Sequence, residues 1–294
     1  MDASVDQCPV AWLPLTPGGV AAFARASLQR LLLFQLVAAL LASVATVWVL
    51  SARWFPIIAL GIEHLPEQGA LRAGRLEWSA PSPQVLSESR YLAFAVDLEH
   101  SGQARAPSQI EVEFGRVDLR VCSVFGCAEV AYPKQVRVAF NVAELKPWWG
   151  AWAPMLRWLA AGAVLAALFI SWAVLATAYS LPAWLVGLYL NRELTLGGSW
   201  RLAGAALIPG ALVMAGAMVA YGLARFDLVQ LAAAWAFHLL LGWGYVVAGA
   251  AAAPKIQKGL PAKGNPFRTP SGGSGENQED GSKTTPGNPF SAKR

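Results

Sequence analysis

Two cysteines five positions apart, Cys122 and Cys127, are the pair in this chain best spaced to bond to each other. They flank Ser123-Val124-Phe125-Gly126, a turn signal between two runs that alternate apolar and polar residues. In an oxidising compartment they would close a disulfide that pins a hairpin. That reading is preferred to reduced or reactive thiols. A metal site would need more ligands, and His100 is the only histidine within reach along the sequence. Thioredoxin-like exchange calls for closer spacing and a βαβ setting. Cys8 stands apart near the N-terminus, ahead of the first apolar run, and is not placed as a lipoprotein cysteine would be.

Of the polar side chains inside the apolar runs, His238 and Gln35 are the candidates. An ionisable group such as His238 in a membrane segment is a functional candidate by default. Yet no Asp, Glu or Lys shares those runs to complete a proton relay. A neutral imidazole hydrogen-bonded to a neighbouring helix is expected, and Gln35 is read as a polar contact between helices. Asp97, Glu99, Glu111 and Glu113 fall on strand faces, where solvation accounts for them. No zinc-protease helix, nucleophile elbow or phosphate-binding loop is present. No catalytic, cofactor-binding or metal residue is therefore assigned. Trp148, Trp149, Trp152 and Trp158 cluster just ahead of an apolar block. Their placement favours headgroup-level anchors over a sugar-stacking platform.

The composition says what must position these residues. Of 294 residues, 55% are hydrophobic and 14% charged, against about a quarter charged in soluble proteins. Mean hydropathy is +0.42. The apolar residues collect into blocks. Residues 31–50 carry no ionisable group, and at about 1.5 Å per residue they match a hydrocarbon core of about 30 Å. Residues 158–191 are also free of charge and long enough to span with length to spare. The expected plan is a cytoplasmic lead segment over 1–30, a first span over 31–52 and a polar module over 53–150. A long kinked second span over 154–191, a loop over 192–201, a third span over 202–224, a turn over 225–227 and a fourth span over 228–253 follow. A disordered basic tail over 254–294 ends the plan. The first apolar run starts late and lacks a small-residue cleavage site, so it reads as an uncleaved anchor.

Thr16-Pro17 looks like a helix start. The segment after it reads equally as an amphipathic lead-in or as the first turns of the first span. Within the module, residues 76–78, 91–98, 110–114, 117–121 and 136–140 alternate as strands, one face polar and one apolar. A small antiparallel sheet covered on one side is expected from them. Asn141 begins a short helix that Pro147 ends. Gly197-Gly198 marks a loop.

The charge of +5 sits mostly in the C-terminal tail, so it speaks to topology rather than to nucleic acid, which is not an expected partner. Lys255, Lys258, Lys263 and Arg268 follow the fourth span directly. By the positive-inside rule that end is cytoplasmic, as are Arg25, Arg30, Arg192 and Arg201. Both termini then share the cytoplasmic side, and the module faces away from it. In the tail, Gly264-Asn265-Pro266-Phe267 recurs as Gly287-Asn288-Pro289-Phe290, a docking motif or a low-complexity duplication.

The order of an N-terminal span, the Leu65-Pro66 to Gly74-Arg75-Leu76 stretch, the Ala95 to Leu98 strand with Asp97, and later Leu-Pro-rich spans resembles a bacterial family of multi-pass inner-membrane proteins. Its shared domain has no assigned function. The resemblance implies an inner-membrane location and an extracytoplasmic insert between the first two spans. The expected function is a non-enzymatic membrane protein whose module binds a protein partner, there or through the tail, or senses the envelope. The alternative is an accessory subunit of a transporter, with His238, Gln35 and Pro209 lining a path. The lipid bilayer is the one partner the composition itself implies.

Overall fold

The computed structural model describes residues 13–256. Cys8 and the repeated Gly-Asn-Pro-Phe lie outside them. Four helices are long and apolar enough to cross a membrane: Leu28–Glu63, Val142–Tyr189, Leu196–Gly222 and Leu228–Ala252.

The chain enters through α1 (Pro17–Ala22), capped by Thr16, whose hydroxyl accepts from the Gly19 N–H. A 3-10 turn at Phe23–Arg25 follows, then an extended Ala26. Ser27 caps a new helix, α2 (Leu28–Val49). The lead segment is thus neither a surface-lying amphipath nor the start of the first span. Val20 and Phe23 are fully buried, Val20 against Gly249 of the last long helix.

The first long helix does not stop near residue 52. A π-helical turn, Leu50–Trp54, joins α2 to α3 (Phe55–Glu63), and the Phe55 N–H reaches back five residues to the Leu50 carbonyl. Pro56, which has no N–H to return to the helix, follows directly on that widened turn. The polar module therefore begins after Glu63.

After the module, α4 (Val142–Tyr189) runs unbroken for 48 residues. Asn141 caps it by accepting from the Glu144 N–H at 3.0 Å. Pro147, Pro154 and Pro182 each forgo one hydrogen bond without ending the helix, so the short helix expected before Pro147 belongs to it. Gly197 and Gly198 are not a loop either. They form the first turn of α5 (Leu196–Gly222), capped by Thr195. Asp227 and Gln230 exchange side-chain and backbone bonds to open α6 (Leu228–Ala252).

α5 is the axis of the bundle, with α2, α4 and α6 packed around it. Its small residues make this possible: Ala203, Ala205 and Ala206 are fully buried, and a side chain at Gly204 would press on Leu31 and Gln35. Close approach of small-residue faces gives dispersion contacts that do not depend on water. At one end of the bundle the basic residues gather. Arg25 pairs with Glu193, Arg201 donates to the Ala24 carbonyl and Arg192 to that of Ala253, and the backbones of Arg192 and Lys255 pair in a short antiparallel bridge.

The module carries two sheets. The smaller has β1 (Gly69–Arg72), β2 (Arg75–Trp78) and β8 (Val138–Ala139) in the order β2-β1-β8, all antiparallel. The larger has β3 (Gln84–Glu88), β4 (Leu92–Val96), β5 (Ile110–Phe114), β6 (Asp118–Ser123) and β7 (Gly126–Ala131), in sequence order. It is not wholly antiparallel. Residues 97–109 cross over, so β4 and β5 run parallel, with Leu92 opposite Ile110 and Val96 opposite Phe114. Nor is it open on one side throughout. β4 is buried on both faces, with Ala93 and Ala95 to one side and Leu92 and Val96 to the other.

Candidate functional site

The sheet stands on the helix ends through a compact joint. Tyr91, just ahead of β4, brings its hydroxyl to the carbonyls of Tyr221 at 3.0 Å and Gly222 at 3.2 Å. Its ring meets that of Tyr221 edge-on, with centroids 5.1 Å apart. Arg53, in the π-helical turn, donates to the Gly222 carbonyl at 2.8 Å and lies over the Tyr91 ring. Arg90 donates to the Ala224 carbonyl at 3.1 Å. These carbonyls lie at and just past the C-terminus of α5, where the helix dipole favours cations. Ile110 and Val112 pack beside Phe226 and Leu231 at the α5–α6 turn.

Above the joint, the polar residues of the strands are drawn inward. Glu113 is 4% exposed and Asp97 2%, so solvation does not account for them, contrary to the expectation from alternation. Asp97 accepts from the Ser101 hydroxyl at 2.8 Å and the backbone N–H groups of Gly102 and Glu99. Burial pushes its pKa up, but those donors outweigh it and hold the carboxyl below its ordinary value. The bonds shape the start of the crossover, where His100 adopts a φ of 53° and Gly102 one of 76°.

His100 then lies across two strands. Its Nδ1 meets a Glu113 oxygen, and its Nε2 lies 2.7 Å from Asp118 Oδ1. Burial opposes the charged ring, but the bonds to Glu113 and Asp118 prevail over it and over repulsion from Arg120, leaving the pKa above the ordinary imidazole value. Gly115 lies directly against the ring, and any side chain there would collide with it. Arg120, opposite Glu113 on one side and Glu129 on the other, donates to Glu129 at 2.9 Å and lies 3.7 Å from Glu113. Both nitrogens of His100 thus face carboxylates.

Cys122 and Cys127 are joined by a disulfide across directly opposed positions of β6 and β7. Beside it lies a cleft of about 260 Å³ lined by Arg105, Ser108, Glu111, Arg120 and the disulfide itself. One Glu111 oxygen is buried there without a hydrogen-bond partner. Burial first, and Glu113 second, raise the Glu111 pKa. The outer strand β7 is exposed along its length, and Phe125 at the hairpin tip is 66% exposed.

Gln35 and His238 do not come together. Gln35 is buried and donates to the Gly204 carbonyl at 3.3 Å. His238 bonds not to a neighbouring helix but to the Trp235 carbonyl of its own, while its backbone carbonyl abuts Gly210. The four tryptophans divide. Trp148 and Trp152 stack on each other, Trp149 packs edge-on against Phe55 with centroids 5.1 Å apart, and Trp158 is 80% exposed.

Sequence reasoning missed the His100–Glu113–Asp118 set and the joint. A weak signal for the first was the order Glu113, Asp118, Arg120 around a tight turn; for the second, an Arg-Tyr pair at a strand start. No protein-family model, curated protein or solved structure matches this chain.

Proposed function

We propose that this chain is a non-enzymatic integral membrane protein with four spans, both termini on the cytoplasmic side of a bacterial inner membrane. Its β module would face the extracytoplasmic side and bind a protein partner there or register conditions in the envelope. Kinship with the inner-membrane family it resembles belongs to the same proposal. The observation that carries the reading is the joint. Arg90 and Tyr91 bind the module to the end of the central helix α5, and Arg53 of the π-helical turn braces the same helix end and lies over the Tyr91 ring, while the disulfide hairpin and its cleft stay free of the bundle. A module built only for ballast needs no such seat, and one that reports a bound partner does. The clustering of Arg25, Arg192, Arg201 and Lys255 at the opposite end supports the orientation.

The transporter-accessory reading has less behind it, because Gln35 is spent on Gly204 and His238 on its own helix. A membrane-impermeant maleimide applied to intact cells tests the orientation, on a Ser101→Cys variant in which Cys8→Ser removes the N-terminal thiol. Labelling only after lysis would reverse the topology. A photo-crosslinking residue at Val124, exposed and lining the cleft, tests the function. A discrete adduct that disappears when Arg120→Ala disrupts the cleft supports partner binding; no adduct at Val124, or one indifferent to Arg120, counts against it.

A further inference from the structure

Between α2 and α4 lies a groove of about 470 Å³ that the module does not cover. Its lower limit is the contact at which the Ser43 hydroxyl donates to the Ala161 carbonyl at 3.2 Å. Its upper limit is the Phe55–Trp149 ring contact. Between these points the helices part. The π-helical turn at Leu50–Trp54 begins on one wall, and Pro154 interrupts the hydrogen bonding of the other. Turns of this kind recur at functional sites because they widen the helix and displace a side chain. Here the displaced stretch delivers Ser51 to the groove.

The walls are apolar, with Val44, Val47 and Trp48 facing Pro154, but the mouth holds Arg157. Its guanidinium lies 5.5 Å from the centre of the Phe55 ring. Among the described residues no carboxylate pairs with it, and no acidic residue lines the groove. Arg157 immediately precedes the charge-free stretch of α4, and Arg53 follows that of α2, so both belong at headgroup depth. Trp158 and Trp48 sit beside it, as aromatic residues do at that depth.

We propose that this groove is a binding site for an anionic phospholipid of the extracytoplasmic leaflet. The phosphate sits on Arg157 with Ser51 as a second donor, and one acyl chain lies along Val44 and Val47. A guanidinium offers phosphate two parallel donors and keeps its charge at any physiological pH. An acidic headgroup fits better than a zwitterionic one because an ammonium would find no carboxylate partner in the groove. The proposal rests on the four-span reading.

The test uses the full chain in lipid nanodiscs of phosphatidylcholine and phosphatidylglycerol, extracted into detergent and weighed by native mass spectrometry. The wild type retains one phosphatidylglycerol per chain in preference to phosphatidylcholine. Arg157→Gln weakens retention about tenfold, Arg157→Lys restores part of it, and Val47→Trp expels the lipid by filling the groove with the charge in place. Because the substitutions disturb the fold in unrelated ways, loss in both with recovery in the lysine variant marks the site. Phosphatidylglycerol held equally by wild type, Arg157→Gln and Val47→Trp overturns the proposal and leaves the four-span reading standing. A chain that does not enter the discs at all overturns both.

Discussion

Replacing His100 by alanine strips two carboxylates of their shared donor. Glu113, nearly excluded from solvent, would be left with Arg120 at 3.7 Å, and Asp118 would lose its 2.7 Å partner. Breaking a fully buried charge pair costs about 3–5 kcal/mol. The His100 and Asp118 side chains retain 18% and 20% of their exposure, so water screens part of the loss and about 2–3 kcal/mol is expected. At about 1.4 kcal/mol per factor of ten, amide exchange in β5 and β6 should accelerate about 30- to 150-fold, read by hydrogen-exchange mass spectrometry on the full chain in nanodiscs. The pH dependence follows from the same contacts. The folded pKa of His100 is raised, so its stabilisation is complete below the unfolded value of about 6.5 and is lost as pH rises through the folded value. Corrected for intrinsic exchange, wild-type protection of β5 and β6 should fall over that range, and the alanine variant should not follow. Exchange within about threefold of wild type, or an unchanged pH slope in the variant, would refute the reasoning.

Four other perturbations are read by three measurements. Replacing both Cys122 and Cys127 by serine opens a loop of six residues, and the chain-entropy relation gives about 2 kcal/mol. The loss should be confined to exchange in β6 and β7, and a loss spread over the helices would contradict it. Gln35→Leu removes the cross-helix bond to Gly204 and should lower bundle stability by about 0.6 kcal/mol in detergent unfolding, whereas His238→Ala should change it by less than about 0.5 kcal/mol. The reverse order would restore the histidine as a structural or functional centre. Phe23→Ala empties a fully buried site at about 3–5 kcal/mol; it should free the N-terminal helix and expose Arg25 to trypsin, a cleavage the wild type resists.

The long apolar blocks were legible because a charge-free run of about twenty residues has the length of a bilayer core and exceeds most buried helices. The hairpin closed by Cys122 and Cys127 was legible because alternation and turn residues agree there. Helix ends were not. Pro56 and the Gly197-Gly198 pair read as breaks, yet each lies in the first turn of a helix, and Pro147 costs α4 one hydrogen bond without ending it. The parallel β4–β5 pair was invisible because alternation reports faces, not direction. Glu113 and Asp97 were misjudged for a related reason. A polar residue on an alternating strand normally faces water, and nothing local shows that a crossover over residues 97–109 will fold down on it and supply the partners. The joint was illegible because Tyr91 and Tyr221 are separated by 130 residues.

That separation has a bearing on how the molecule is made. A ribosome adding about 5–20 residues each second needs about 7–26 seconds to travel it. During the interval the first sheet strands have left the exit tunnel while the helix end they will rest on is still unwritten. Tyr91, Leu92 and Ile110 must wait with their apolar sides bare until α5 and the turn after it are in place. Maturation is therefore gated by the synthesis of α5, and a nascent chain halted before Tyr221 should be the form a protease or a chaperone meets.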